Sequence, residues 1–199
     1  MKAALHNLGC KVNAYETEAM QQILEEAGYE IVPFEPGADI YVINTCTVTN
    51  FGDKKSRQLI RKVKRQNENA IVAVVGCYAQ TAPKELMEIA GVNLVIGTKD
   101  RAQIVEMVEQ YDRANGVENH VSDIMKERVF EPLSIQKLAN RTRAYLKIQD
   151  GCSQYCSYCI IPYARGPIRS REPQEVVAEV KRLAENGFKE VVLTGIHVA

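Results

Sequence analysis

The sequence predicts an α/β protein: an N-terminal three-layer domain with a parallel sheet, followed by the truncated start of a (β/α) partial barrel. Over about the first 110 residues, short runs rich in Val and Ile alternate with helical segments, which indicates parallel strands joined by crossover helices. A second strand–helix–strand pattern begins near residue 144. One such unit cannot close a barrel, so we expect an incomplete part of a longer protein.

The first domain is predicted from the regular alternation of strand and helix patterns. Apolar side chains recur at helical spacing between the strand runs, Gly28 ends the first helix, and Pro83 begins the third. The clearest central strand is the Ile-Val-Ala-Val-Val run that starts at Ile71. We predict strands at 3–8, 29–34, 39–44, 70–76 and 94–96, and helices at 13–27, 53–65, 83–90 and 101–111.

The pattern weakens after residue 112. Residues 115–135 are polar and poorly periodic, and we interpret them as a connector with a strand around Val129. A strand is predicted at 144–148, a helix at 173–186, and a further strand at 190–194. The domain prediction is therefore 1–112 and 143–199, with 113–142 between them. The helix residues expected to face inward are Val176, Val177, Val180, Leu183 and Ala184.

Charge and composition exclude several classes. Lys plus Arg and Asp plus Glu are both 25, so nucleic-acid binding would need a local basic patch. The apolar run at the N-terminus is too short for a signal peptide, and no stretch has the length of a membrane span. We therefore expect a cytoplasmic protein with no membrane partner. There, cysteines are more often metal ligands or catalytic groups than disulfides.

Three of the six cysteines lie in one short segment. Cys152, Cys156 and Cys159 are spaced C-x3-C-x2-C and follow a predicted strand. Three thiolates are one short of a structural zinc site, whereas a 4Fe-4S cluster can keep its fourth iron open. The alternatives are zinc with a distant fourth ligand, or a disulfide and a free thiol. Neither of them accounts for the position at a strand end.

The other three cysteines are far apart in sequence but occupy equivalent places. Cys10, Cys46 and Cys77 each follow a predicted strand. The carboxyl ends of parallel strands share one edge of a sheet, where ligands bind in open α/β folds, so we expect these cysteines to converge. Gly9 and Gly76 suit tight turns there. The alternative is three unrelated buried cysteines.

These motifs resemble a known family. Residues 7–18 (Asn-Leu-Gly-Cys-Lys-Val-Asn-Ala-Tyr-Glu-Thr-Glu), 44–49 (Asn-Thr-Cys-Thr-Val-Thr) and 75–80 (Val-Gly-Cys-Tyr-Ala-Gln) are similar to the N-terminal domain of the methylthiotransferases. The Cys152 segment and residues 160–166 (Ile-Ile-Pro-Tyr-Ala-Arg-Gly) resemble their radical S-adenosylmethionine core. The motif sequences are most similar to those of the branch acting on N6-threonylcarbamoyladenosine in tRNA. The resemblance covers essentially the whole chain.

The resemblance implies two 4Fe-4S clusters and bound S-adenosylmethionine. One cluster would bind S-adenosylmethionine at its open iron, with Tyr158 near the adenine and Thr194 and Gly195 near the methionine amino group. The other would be auxiliary. No catalytic residue is implied beyond the cluster ligands. The first cluster's ligands would be Cys152, Cys156 and Cys159, and those of the auxiliary cluster Cys10, Cys46 and Cys77.

The implied reaction adds a methylthio group to C2 of the modified adenosine beside the anticodon, and the cofactors carry this chemistry. The implied partners are the tRNA anticodon loop and an electron donor such as flavodoxin or ferredoxin. The family also has a C-terminal RNA-binding TRAM domain, which we expect this chain to lack. Alternatives are a sister branch (isopentenyladenosine in tRNA, or an aspartate of a ribosomal protein), another radical enzyme without the auxiliary site, and a non-catalytic metal-binding scaffold.

Two groups of basic residues are candidates for RNA contact. One lies on the predicted second helix, where the alternative is an ordinary solvated face: Lys54, Lys55, Arg57, Arg61, Lys62, Lys64 and Arg65. The other flanks the Cys152 segment and is expected to contact RNA or S-adenosylmethionine: Arg165, Arg169 and Arg171. Residues expected to brace the auxiliary loops are Asn13, Asn44 and Thr45.

Overall fold

A computed structural model describes residues 1–47, 50–135 and 142–198. Positions 48, 49, 136–141 and 199, which include part of the 44–49 motif and the end of the predicted connector, lie outside the described residues. The strands are β1 Lys2–Asn7, β2 Glu30–Ile31, β3 Ile40–Thr45, β4 Ile71–Gly76, β5 Leu94–Ile96, β6 Glu118–His120, β7 Arg143–Lys147, β8 Gln149–Asp150, β9 Arg169–Ser170 and β10 Glu190–Thr194. The helices are α1 Lys11–Glu26, α2 Asn50–Gln66, α3 Cys77–Thr81, α4 Pro83–Met87, α5 Ile104–Glu109, α6 Ile161–Arg165 and α7 Pro173–Glu185.

The first six strands form one parallel sheet in the order β2-β1-β3-β4-β5-β6. Helices α1 and α5 cover one face through side chains such as Met20 and Ile104. Helices α2, α3 and α4 cover the other through side chains such as Ile60 and Leu86. The predicted α/β class is therefore confirmed. Both faces of β3 and β4 are buried, which explains why these strands read as continuous apolar runs.

The second part contains a parallel pair, β7 and β10, with α7 packed against it through Leu183. The buried stripe of α7 passes through Glu179 and Leu183. The prediction that Val177 and Ala184 face inward is wrong, since both are exposed, Val177 by 55%. Each lies one position off the stripe, and the 3.6-residue period turns it toward solvent.

The segment after residue 112 differs from the prediction. The strand expected around Val129 is wrong, because this side chain is 72% exposed and its backbone is irregular. A strand forms instead at β6, which pairs in parallel with β5, Leu94 opposite Glu118. Its Glu-Asn-His sequence carries no apolar signal, because an edge strand needs only backbone hydrogen bonds to one neighbour.

The two parts of the chain pack together around α1. Tyr15 and Ala19 of α1 share a buried core with Leu146 of β7 and with Leu133 and Ile135 of the intervening segment. The Tyr15 hydroxyl donates a hydrogen bond to the Leu133 carbonyl. Among the described helices, none combines the length and the apolar character needed to cross a bilayer.

Candidate cluster-binding site

The first cysteine set lies at the carboxyl edge of the six-stranded sheet. Strands β1, β3 and β4 are neighbours, and their last pairs are Asn7 opposite Asn44 and Thr45 opposite Gly76. Cys46 and Cys77 are the next residues after the Thr45–Gly76 pair, and Cys10 caps α1 just after β1. Because neighbouring strands are about 4.8 Å apart, the fold brings these three segments to one place. Their role as cluster ligands stays a prediction.

A buried asparagine connects these segments. The Cys10 thiol donates to Asn13 Oδ1 at 3.3 Å, and Asn13 Nδ2 donates to Asn44 Oδ1 at 2.9 Å and to the Thr45 carbonyl at 3.0 Å. Asn44 Nδ2 donates back to the Asn13 carbonyl at 3.0 Å. The loop after β1 is thereby tied to the end of β3, immediately before Cys46.

Two glycines make room for these asparagines. A Cβ at Gly9 would collide with the Asn13 side chain. A Cβ at Gly76 would collide with Asn44 Oδ1 and lie 2.7 Å from the Thr45 carbonyl oxygen. Gly76 also has φ +100°, a conformation that side-chain-bearing residues rarely adopt. The close approach of backbone to side chain explains why both turns contain glycine.

The environments of the three thiols differ. Cys10 is exposed, whereas Cys46 and Cys77 are buried. Burial raises the pKa of the Cys77 thiol to about 11, and the neighbouring Arg165 guanidinium opposes this rise. All six cysteines lie within the described ranges, and each is a free thiol there rather than half of a disulfide.

The second cysteine set occupies the loop after β8. The Cys152 amide donates to the Gly166 carbonyl at 3.0 Å, and the Cys159 amide donates to the Cys156 carbonyl at 2.9 Å. Tyr155, between the first two cysteines, has φ +49°. Gly151 has φ +73°, and a Cβ there would collide with the Pro167 carbonyl oxygen. The base of this loop is therefore fixed by the chain between α6 and β9.

The residues predicted to contact S-adenosylmethionine lie on two segments. Tyr158 is 90% exposed, next to Cys159. Thr194 ends β10 and is buried, and Gly195 follows it. The two residues after Gly195 donate backbone hydrogen bonds to Gln149 Oε1 of β8, from Ile196 N at 2.8 Å and from His197 N at 2.7 Å. The loop after β10 is thus held beside the strand that leads to Cys152.

Sequence patterns did not predict a buried ion network that joins α1 to β8 and α6. Glu16 of α1 is fully buried and accepts hydrogen bonds from Lys147 Nζ at 2.9 Å and from Arg165 Nη1 at 2.7 Å. It also forms an ion pair with Arg101 Nη1 at 2.6 Å. Asp150 of β8 lies 3.0 Å from Lys147 Nζ and 3.2 Å from Arg165 Nη1. Five segments from both parts of the chain therefore meet in one set of charges.

The ion network shifts the pKa values of its own carboxyls. Burial alone would raise the pKa of Glu16, but Arg101, Arg165 and Lys147 together lower it to about 2. The pKa of Asp150 is likewise held well below its usual range, because the same cations outweigh its burial. Both carboxyls are therefore ionised throughout the physiological range.

The arginines expected to contact RNA beside the cysteine loop have other partners. Arg165 and Arg169 are buried, and Arg169 Nη2 donates to the Arg165 carbonyl at 2.7 Å. Arg171 pairs with the buried Glu179 at 3.1 Å. The RNA-contact prediction is wrong for Arg165 and Arg169, because a buried guanidinium cannot reach a phosphate backbone. In the sequence they look like an exposed Arg-rich loop, since nothing local reveals the carboxylates that α1 and β8 supply.

Most of the basic side chains predicted on α2 are exposed. Arg57 differs from the rest of the set, because its Nη1 donates to the Tyr78 hydroxyl at 2.7 Å and to Glu85 at 2.9 Å. Lys64 is partly buried and donates to the Ala70 carbonyl at 3.4 Å. The exposed members are Lys54, Lys55, Arg61, Lys62 and Arg65.

The two cysteine sets are compatible with iron–sulfur clusters. In the part of the chain that the structure describes, no three Cys, His, Asp or Glu side chains are arranged to share a single metal ion. A cluster makes a different demand, since each of the three irons that the protein ligates takes its own cysteine sulfur. The supporting observations are free thiols on three converging loops, and a buried Arg165 whose Nε makes no hydrogen bond to the described residues.

Two family models and several curated proteins match the chain. The family described as "Uncharacterized protein family UPF0004" matches residues 2–97, and the Radical SAM superfamily matches residues 146–198. The chain is 56% identical, over 98% of its length, to a threonylcarbamoyladenosine tRNA methylthiotransferase of Bacillus subtilis, and covers 43% of that relative. It is 42% identical, over its full length, to the enzyme of the same name from Aquifex aeolicus, and covers 48% of it.

Sister enzymes also match. The chain is 36% identical, over 96% of its length, to a ribosomal protein uS12 methylthiotransferase of Prochlorococcus marinus, of which it covers 42%. The chain thus spans less than half the length of these curated relatives.

Proposed function

Because the chain belongs to the radical S-adenosylmethionine methylthiotransferase family, we propose that the protein adds a methylthio group to C2 of N6-threonylcarbamoyladenosine in tRNA. The observation that carries this proposal is the presence of two three-cysteine sets, one at the ends of β1, β3 and β4 and the other after β8. The relatives at 56% and 42% identity, which are named for this nucleoside, support the choice of substrate.

Each cysteine set would hold one 4Fe-4S cluster. When bound, the clusters and S-adenosylmethionine would supply the one-electron chemistry that places sulfur and a methyl group at an unactivated C–H position. The chain itself positions the ligands, through Asn13 and Gly76 at the sheet edge and through the Gly166 carbonyl at the Cys152 loop. The proposed ligands are Cys10, Cys46 and Cys77 for one cluster, and Cys152, Cys156 and Cys159 for the other.

The proposed contacts to S-adenosylmethionine are Tyr158, Thr194 and Gly195. Tyr158 is exposed next to Cys159, so its ring is free to pack on an adenine. Gln149 fixes the loop that follows Thr194 by accepting two backbone N–H groups, which keeps this loop beside the cysteine segment.

The proposed partners are the tRNA anticodon loop and a one-electron donor protein such as flavodoxin or ferredoxin, and the proposed location is the cytoplasm. The exposed Lys and Arg side chains of α2 offer a local positive surface for phosphate groups, although the chain as a whole is neutral. The first turn of α2 follows the Cys46 loop, so an RNA lying along this helix would approach the cysteine edge of the sheet.

Metal content after anaerobic reconstitution tests the cluster proposal. The wild-type protein should contain about eight iron atoms and about eight sulfides per chain, and a Cys10/Cys46/Cys77→Ala variant about four of each. About four iron atoms in both proteins would contradict the auxiliary site. Zinc in place of iron would favour the non-catalytic scaffold and contradict the enzyme proposal.

Nucleoside analysis tests the substrate. When the gene of the full-length protein is deleted, tRNA digests should lose the methylthio form of N6-threonylcarbamoyladenosine, and plasmid-borne wild-type protein should restore it. The Cys152→Ala variant should not restore it. Loss of the methylthio group from isopentenyladenosine, or from a ribosomal-protein aspartate, would instead place the protein in a sister branch, as the 36% match to a ribosomal-protein enzyme allows.

A further inference from the structure

The Arg165 side chain lies between the supports of the two cysteine sets. Its Nη2 donates to Asn13 Oδ1 at 3.1 Å, the same oxygen that accepts from the Cys10 thiol. Asn13 also holds the Thr45 carbonyl, immediately before Cys46. On this side, the guanidinium is therefore one hydrogen bond away from the loops that carry two of the three cysteines.

The same guanidinium also contacts the strand that leads into the second cysteine loop. Arg165 Nη1 donates to Asp150 Oδ1 at 3.2 Å, and the same carboxylate oxygen accepts from the Gly151 amide at 2.9 Å. Gly166, the residue after Arg165, accepts a hydrogen bond at its carbonyl oxygen from the Cys152 amide at 3.0 Å. A single dipeptide at the end of α6 thus contacts the supports of both sites.

The third cysteine of the sheet edge is also close to this charge. Helix α6, which ends at Arg165, packs against α3, which begins at Cys77. Helix α6 is held against the sheet edge by the Thr98 hydroxyl, which donates to the Ala164 carbonyl at 2.7 Å. Arginine stays protonated at any working pH, so the positive charge next to Cys77 is permanent.

We propose that Arg165 is a positioning residue shared by the two cysteine sites, and that its charge raises the reduction potential of the cluster bound at Cys10, Cys46 and Cys77. This inference rests on the proposed function only in requiring that the sites bind clusters. A nearby cation stabilises the reduced cluster, which carries one more negative charge than the oxidised one. The buried location matters, because charges interact more strongly where water is excluded.

The test isolates one cluster at a time in the intact protein. In a Cys152/Cys156/Cys159→Ala background, only the sheet-edge site can load. Iron content and a redox titration followed by electron paramagnetic resonance are compared for Arg165, Arg165→Gln and Arg165→Lys. The matched control is Arg171→Gln, another arginine paired with a buried carboxylate (Glu179), which has no contact to either cysteine set within the described ranges.

We expect Arg165→Gln to lower iron occupancy by half or more, and to shift the midpoint potential of the loaded fraction to more negative values. Arg165→Lys keeps the charge but not the two-sided contacts, so it should lower occupancy while leaving the potential near that of the parent. In a Cys10/Cys46/Cys77→Ala background, Arg165→Gln should also lower occupancy of the Cys152 site.

Two results would overturn this inference and leave the proposed function intact. One is a midpoint potential and an iron occupancy for Arg165→Gln equal to those of Arg171→Gln. The other is an equal loss of iron from the Arg165→Gln and Arg171→Gln variants. If Arg165→Gln takes up no iron or fails to fold, Arg165→Lys decides. A parent-like potential in the lysine variant supports the charge effect, and a shifted one contradicts it. Absence of iron from the parent backgrounds would overturn the proposed function as well, and is seen before any Arg165 variant is measured.

Discussion

Replacing Glu16 with glutamine should strongly destabilise the folded protein. The Glu16 carboxylate neutralises Arg101, Lys147 and Arg165 at 2.6, 2.9 and 2.7 Å, and none of these side chains is exposed. Glu131 also belongs to the network, with Oε2 2.6 Å from Arg101 Nη2. After the substitution, three buried cations share only Asp150 and Glu131, which leaves one uncompensated positive charge. Removing one partner of a buried ion pair costs about 3–5 kcal/mol, a large part of the roughly 5–15 kcal/mol that stabilises a domain.

Urea unfolding followed by far-UV circular dichroism measures this effect. With an m value of about 2 kcal/mol/M, the midpoint should fall by about 1.5–2.5 M urea. The matched control is Glu85→Gln, which removes a carboxylate from the solvent-exposed pair with Arg57. Such a pair contributes about 0–1 kcal/mol. If Glu16→Gln unfolds within about 1 kcal/mol of Glu85→Gln, the network is not the buried, mutually dependent set of charges described above.

The same network predicts how the folded protein loses stability as the pH falls. The folded-state pKa of Glu16, about 2, lies below its ordinary value of 4.5. A depressed carboxyl pKa contributes stability above the unfolded-state value, and this contribution is lost as the pH falls toward the folded-state value. Wild-type protein should therefore lose stability between about pH 5 and pH 2. Glu16→Gln should show a shallower loss in that window, and an identical slope would contradict this assignment.

Three further predictions concern the cysteine edge and α2. Gly76→Ala should unfold at lower temperature and bind less iron than Gly116→Ala, because both have positive φ but only the Gly76 Cβ would meet neighbouring atoms; equal effects would show that strain alone matters. In the apo-protein, the pKa of Cys77 near 11 and its burial should slow alkylation at pH 8 relative to the exposed thiols, with the rate still rising toward pH 11, as measured by site-resolved mass spectrometry. Lys62→Gln/Arg65→Gln should weaken tRNA binding in filter assays and reduce the log-log salt slope by about 1–2; an unchanged slope would mean that these side chains do not contact phosphate.

The sheet and the position of the cysteines were predictable because both depend on local patterns. The apolar run of β4 and the glycine before Cys77 indicate a buried strand that ends in a tight turn. Parallel topology then brings successive strand ends to one edge, whatever the length of the connecting helices. The sequence did not indicate α3, which begins at Cys77 itself, because its single turn is too short to show a helical period.

The ion network could not be predicted in the same way. Glu16, Arg101 and Lys147 are separated by long stretches of sequence, and each taken alone resembles a surface residue. One signal was present: Glu16 lies on the same side of α1 as the buried Val12, Ala19 and Met20. A charged side chain on an apolar stripe needs a buried partner, but the helix pattern does not say which residues supply it.

The pairing of Thr45 with Gly76 has a consequence for how the sequences of such proteins vary in length, and for how this site can be found in other sequences. The number of residues between Cys46 and Cys77 is set by a surface helix and its loops, which can gain or lose residues without moving either strand end. A single insertion within β3 or β4 would instead turn every later side chain to the opposite face of the sheet. A search pattern for this site should therefore allow variable gaps between its cysteines, while requiring that each one lies within three residues after the end of a strand of the parallel sheet.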